Sequence, residues 1–101
     1  MTSLPALEQL FGVYLNLDWI DDYADPWRAI DEFAMSEPED AARFPGEVAS
    51  LLQGSPSESS LRHLILDELG SGYAPDADGW TYEAWLREVV KRVEAALASQ
   101  D

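Results

Sequence analysis

Catalysis or metal binding in this chain would have to come from carboxylates and one imidazole. The stretch LNLDWIDDYADPW, residues 15–27, places Asp18, Asp21, Asp22 and Asp25 among Trp19, Tyr23 and Trp27. A second stretch, LDELGSGYAPDADGWTYEAW, sets Asp67, Glu68, Asp76, Asp78 and Glu83 around Tyr73, Trp80, Tyr82 and Trp85. Such densities can serve three ends: proton transfer, cation binding, or attraction of a basic partner. Proton transfer needs a carboxyl of shifted pKa held in a pocket against a partner, and the spacing here supplies abundance without that placement. For cation binding, PDADGW is like the start of a calcium loop. Counted from Asp76, however, the sixth position is Thr81 rather than Gly and the twelfth is Arg87 rather than Glu. The single His, His63, has no Cys or second His to complete a zinc set. Asp67, four residues on, and Glu68 are the acidic residues that follow it.

Nucleophile and phosphate motifs are also missing. Ser55, Ser57, Ser59 and Ser60 fit turn and capping chemistry. The glycines at 70 and 72 precede acidic residues, which would repel a phosphate. The reading is therefore not an enzyme: no catalytic residue, no metal ligands, no cofactor and no small-molecule substrate are assigned.

The elements that must position these side chains read as helices. Leu4, Leu7, Leu10, Phe11 and Tyr14 follow helical spacing over 4–15. Asp25 and Pro26 form a cap and first turn for a second helix, with Trp27, Ile30, Phe33 and Ala34 on its apolar face. A third opens at SEPED, and Pro45–Gly46 should kink it or split it into 38–44 and 46–53, with Val48, Leu51 and Leu52 inward. In the fourth, Ser55, Pro56 and Glu58 match a capping box, Leu61, Leu64, Ile65 and Leu69 form the apolar face, and Gly70 ends it. After the turn-rich GSGYAPDADGW, Thr81 caps a last helix running to about Ser99. Its apolar positions are Tyr82, Trp85, Leu86, Val89, Val90, Val93 and Leu97, and Glu83 and Glu88 stand four residues before Arg87 and Arg92. No stretch alternates with the period of a half-buried strand. The fold class expected is all-α, a small bundle of about five helices forming one domain over 1–101.

Twenty acidic residues face six basic ones, for a net charge of −14. Such a chain is repelled by nucleic acid and by anionic membranes, and is complemented by a basic surface. No apolar run approaches the roughly 20 residues of a membrane span. The N-terminus lacks the basic segment of a signal peptide, so a cytoplasmic location is expected. Both acidic-aromatic stretches fall between helices or at helix ends, where binding residues concentrate. Trp and Tyr anchor interfaces, and acidic neighbours steer a basic partner. Trp85 and Trp27 read as core, and Trp19 and Trp80 as a pair that closes the bundle. Asp25 is accounted for as a cap. Asp18, Asp21, Asp22, Asp76 and Asp78 have no such local account. With Tyr23, Tyr73 and Trp80 they are the candidate partner-binding residues.

LEQLFGVYLNLDW, the acidic DDY, PSESSLRHLILDELGSGY and ADGWTYEAWL, taken in order over about 4–97, resemble the helical immunity proteins of contact-dependent growth inhibition, the CdiI type. The segment Asp78–Gly79–Trp80–Thr81–Tyr82–Glu83–Ala84–Trp85–Leu86 matches the family's D-G-x-T-Y-x-x-W-L opening of the last helix. Pro45–Gly46 departs from the unbroken third helix that the resemblance leads one to expect. The resemblance implies a protein that binds and neutralises the C-terminal domain of a cognate toxin, often a nuclease. It also implies that Tyr82, Trp85 and Leu86 are scaffold, while acidic positions carry specificity. Two other readings stand beside it: an acidic adaptor or antitoxin-like module outside such a system, and a small enzyme or metal binder built on His63, Asp67 and Glu68.

Overall fold

The computed structural model describes residues 4–99. Residues 1–3 and 100–101, part of the expected domain, lie outside the described residues. The described residues form an all-α fold without strands. The α-helices are α1 (Pro5–Gln9), α2 (Trp19–Asp22), α3 (Pro26–Ser36), α4 (Pro38–Gln53), α5 (Glu58–Arg62) and α6 (Tyr82–Ala98). Helix α1 runs on as a π-helical segment, Leu10–Tyr14, and α5 as another, His63–Glu68; a 3-10 turn covers Pro75–Asp78. No helix among the described residues is long and apolar enough to cross a membrane.

The five expected helical segments are all present, with differences in detail. The first and fourth widen into π-helix. Leu15 N–H donates to the Leu10 carbonyl and Leu69 N–H to the Leu64 carbonyl, each five residues back. The third segment is one continuous helix through Pro45, against the expected break. Pro45 lacks the N–H that would reach the Ala41 carbonyl, at a cost of about 3 kcal/mol. Tertiary contacts on both sides of it hold α4 together: Ala41, Phe44 and Val48 are buried, and the Glu47 carboxylate accepts from Ala6 N–H (3.0 Å) and Leu7 N–H (3.2 Å) of α1. Leu4, at the N-cap of α1, offers no side-chain acceptor. Glu47 thus supplies from 40 residues away what an N-cap side chain would supply locally.

The capping box also resolves differently. Ser57, not Ser55, caps α5 by accepting from Ser60 N–H at 3.1 Å. Ser55 has φ 51°, left-handed backbone. Glu58 reaches across to α6, where its carboxylate accepts from Tyr82 N–H and Glu83 N–H. Thr81 caps the same helix through Ala84 N–H, as expected.

The core lies between α1 with its π-helical extension, α3, α4 and α6. Leu7, Leu10, Phe11, Ile30, Phe33, Phe44, Ile65, Trp85, Leu86 and Val89 are fully buried in it. Trp85 packs against Phe11, Tyr73 and Trp27. Its indole N–H has no acceptor among the described residues, a cost of about 1–3 kcal/mol that its ring burial offsets. Glu83 pairs with Arg87 as expected. Arg92 pairs across the bundle with Asp31 of α3 rather than with Glu88, because Asp31 offers two parallel bonds of 2.9 Å.

Candidate functional site

The two acidic-aromatic stretches meet through ring contacts, Trp19 on Tyr73 and Trp27 on Trp80 and Trp85. Trp19 of α2 sets its edge on the ring of Tyr73, with centroids 5.7 Å apart. Gly72 N–H donates to the Leu15 carbonyl at 2.6 Å beside it. Trp80 packs on Trp27 at 6.1 Å. The expected Trp19–Trp80 pair does not form, because each ring finds a nearer aromatic partner in the other stretch.

The second stretch is tied internally. Tyr73 is buried and donates its O–H to Asp78 at 2.7 Å; Tyr82 is buried and donates its O–H to Asp76 at 2.7 Å. Burial, then the carboxylate acceptor, pushes the Tyr82 phenol up to about 12 and raises that of Tyr73 as well. Arg62 lies 3.9 Å from Asp76. Asp76 and Asp78 therefore do have a local account, one that a linear sequence did not display: they fasten two core tyrosines to the 3-10 turn. Gly79, at φ 89°, closes that turn before α6.

In the first stretch Asp18, Asp21 and Asp22 are exposed, and among the described residues none of the three carboxylates enters a hydrogen bond or ion pair. Asp25 caps α3 through Arg28 N–H at 3.0 Å. Tyr23 is half-buried, and burial raises its phenol pKa. Together with Asp22, Arg28, Glu32 and Met35 it lines a cleft of about 410 Å³. Trp80 is half-buried and, with Trp27, Lys91 and Arg92, lines a second cleft of about 350 Å³; the Arg92 guanidinium stands 5.5 Å over the Trp27 ring. A hollow of about 540 Å³ between α4 and α6, lined by Val48, Leu52, Val90, Arg87 and Lys91 among others, includes no carboxylate and no histidine.

Sequence reasoning missed the apolar half of the first stretch. Leu17 is 82% exposed and Ile20 70% exposed, in the same turn as the free aspartates. The alternation of Leu, Asp, Trp and Ile carried the signal. Of the three large side chains at 17, 19 and 20, Trp19 is the one that turns inward.

His63 sits on the surface with its Nδ1 2.9 Å from Asp67. No group of three His, Asp or Glu side chains able to hold a metal ion occurs among the described residues. What the arrangement offers is a charged, partly apolar surface on a rigid bundle.

The family model for CdiI immunity proteins matches residues 3–93. The chain belongs to the CdiI immunity protein family. No curated protein and no solved structure matches it. Membership makes toxin neutralisation the class of function and a toxin protein the class of partner. The motif Asp78–Leu86 takes a scaffold role in this CdiI immunity protein. Thr81 caps α6, Tyr82, Trp85 and Leu86 are core, and Asp78 holds Tyr73.

Proposed function

We propose that the protein neutralises its toxin by one-to-one binding to the toxin's C-terminal domain, and that this domain is a basic nuclease. The observation that carries the reading is the trio Asp18, Asp21 and Asp22, exposed on one turn with no partner for their carboxylates among the described residues. A nuclease holds phosphates with cations, and this turn presents comparable charge on a chain of net −14. Tyr23 and Trp80, half-buried at the edges of their clefts, add contact area. Tyr73, Asp76 and Asp78 act from beneath, keeping the second loop in shape. Opposite potentials steer encounter, raising association rates toward about 10⁸–10⁹ M⁻¹s⁻¹ from about 10⁵–10⁶.

Calorimetric titration into the toxin domain encoded immediately upstream tests this. It is run at about 0.1 M and about 1 M salt, where the screening length falls from about 10 Å to about 3 Å. A one-to-one complex that weakens with salt is the expected result. Asp21→Lys with Asp22→Lys should weaken binding further and leave the helical fold intact. A double variant that binds as tightly as the parent would remove the acidic turn from the interface.

A further inference from the structure

The exposed large hydrophobics of the described residues are Val13, Leu17, Ile20 and Met35, all in the N-terminal half of the chain. Single exposed aliphatics are ordinary, but neighbouring ones mark interaction sites. Leu17, in the turn just before α2, and Ile20, within α2, are exposed in the same short segment as the exposed Asp18, Asp21 and Asp22. The turn is held from below by the Trp19 ring on Tyr73, by Gly72 N–H on the Leu15 carbonyl, and by Asp18 N–H on the Asn16 side-chain oxygen. It is therefore a preformed knob, which lowers the ordering cost of binding.

We infer that Leu17 and Ile20 are the apolar anchors of toxin recognition, entering an apolar hollow of the toxin whose rim carries lysines or arginines. The inference rests on the immunity reading above and assigns the contact on which it depends. Charge complementarity selects this occupant. Three aspartates around the aliphatics oppose an anionic lipid surface. A second copy of this chain is a poor complement, because each of its six Lys and Arg side chains already stands within 4 Å of a carboxylate. A basic protein surface with an apolar recess satisfies both halves of the knob.

The two halves separate kinetically. Charges around an interface act mainly on association, and buried apolar contacts mainly on dissociation. The test is a stopped-flow or surface-binding measurement of both rates against the upstream-encoded toxin domain, for the parent, for Leu17→Ser with Ile20→Ser, and for Asp21→Lys with Asp22→Lys. The serine pair should dissociate roughly a hundredfold faster or more, with association within about twofold and salt dependence retained. The lysine pair should associate more slowly, with the salt dependence reduced. Both serine positions are exposed, so the melting temperature of that variant should match the parent's and separate lost contact from lost fold. Parental dissociation from the serine pair overturns the anchor assignment while leaving neutralisation by binding in place. A parent protein that does not bind the domain overturns both.

Discussion

Among the glycines Gly72 faces the closest backbone approach, and Gly72→Ala should be an informative single methyl addition. A Cβ there would meet the Asn16 carbonyl oxygen first and would fall 2.7 Å from both the Asn16 carbonyl carbon and the Leu17 Cα, where ordinary contact begins at 3.4 Å. The two backbone segments must part by at least about 0.7 Å. That displacement stretches the 2.6 Å bond from Gly72 N–H to the Leu15 carbonyl. Overpacking of this kind costs about 1–3 kcal/mol. The weakened hydrogen bond adds about 0.5–1 kcal/mol, the low end because Gly72 is exposed. At about 4–8 °C per kcal/mol for a chain of this size, the melting temperature should fall by very roughly 10–25 °C. A domain stable by about 5–15 kcal/mol would still be folded at room temperature.

Gly46 supplies the control. It lies inside α4, and a Cβ there meets nothing within 4 Å. Gly46→Ala should therefore stabilise by about 0.5–1 kcal/mol through helix propensity alone. The assay is thermal unfolding followed by circular dichroism for both variants and the parent. Gly72→Ala also moves Asn16 and Leu17, so it should weaken toxin binding although residue 72 is not a proposed contact. A Gly72→Ala variant that melts at or above the parent's temperature would refute the close approach and the anchoring of α2 built on it.

Three further outcomes are expected. Glu58→Ala removes the carboxylate that serves two N–H groups at the start of α6 and should lower the urea midpoint by an amount equal to about 1–2 kcal/mol, with an unchanged slope; Glu58→Gln should lose less. Tyr82 titrates near 12 in the fold against about 10 unfolded, so its contribution is complete below pH 10 and is lost as pH rises from 10 to 12; denaturant unfolding across that range should show falling stability, with a shallower fall for Tyr82→Phe. Arg92 and Asp31 are both over 40% exposed, so a double-mutant cycle with Arg92→Met and Asp31→Asn should give a coupling of only about 0.5–1 kcal/mol despite the paired 2.9 Å bonds, and less at high salt.

The helical bundle was legible because local periodicity and caps determine it. Asp25, Pro26, Thr81 and the Tyr82–Val93 stripe of α6 all read correctly from neighbours within four residues. What could not be read was set by distant contacts. Glu47 caps α1 from 40 residues away, and Glu58 caps α6 from 24 residues away while Ser57, not the expected Ser55, caps α5. Pro45 looked like a break because local rules count a lost hydrogen bond, whereas packing on α1 and α6 decides the outcome. The π-helical turns at Leu10–Tyr14 and His63–Glu68 have the same apolar residues that an α-helix would have; the extra residue per turn shows only in the bonds. At the candidate site, the acidic residues were evident, but not which of them were already engaged.

That division of the carboxylates bears on function. Asp25, Glu47, Glu58, Asp76 and Asp78 each accept from a backbone amide or a phenol, so the fold needs them where they are. Among the described residues the carboxylates of Asp18, Asp21 and Asp22 accept no such bond, and like charges gathered on one turn repel. The same turn also leaves Leu17 and Ile20 in solvent. Neither feature stabilises the isolated protein, and core packing nonetheless holds the turn in one shape through Trp19 and Gly72. A rigid turn that is unfavourable in both charge and hydration becomes favourable in both respects on meeting a basic surface with an apolar recess. On the proposed reading the aspartates and the exposed aliphatics act as two halves of one complementary surface, and loss of either half alone should leave a protein that still folds but protects poorly.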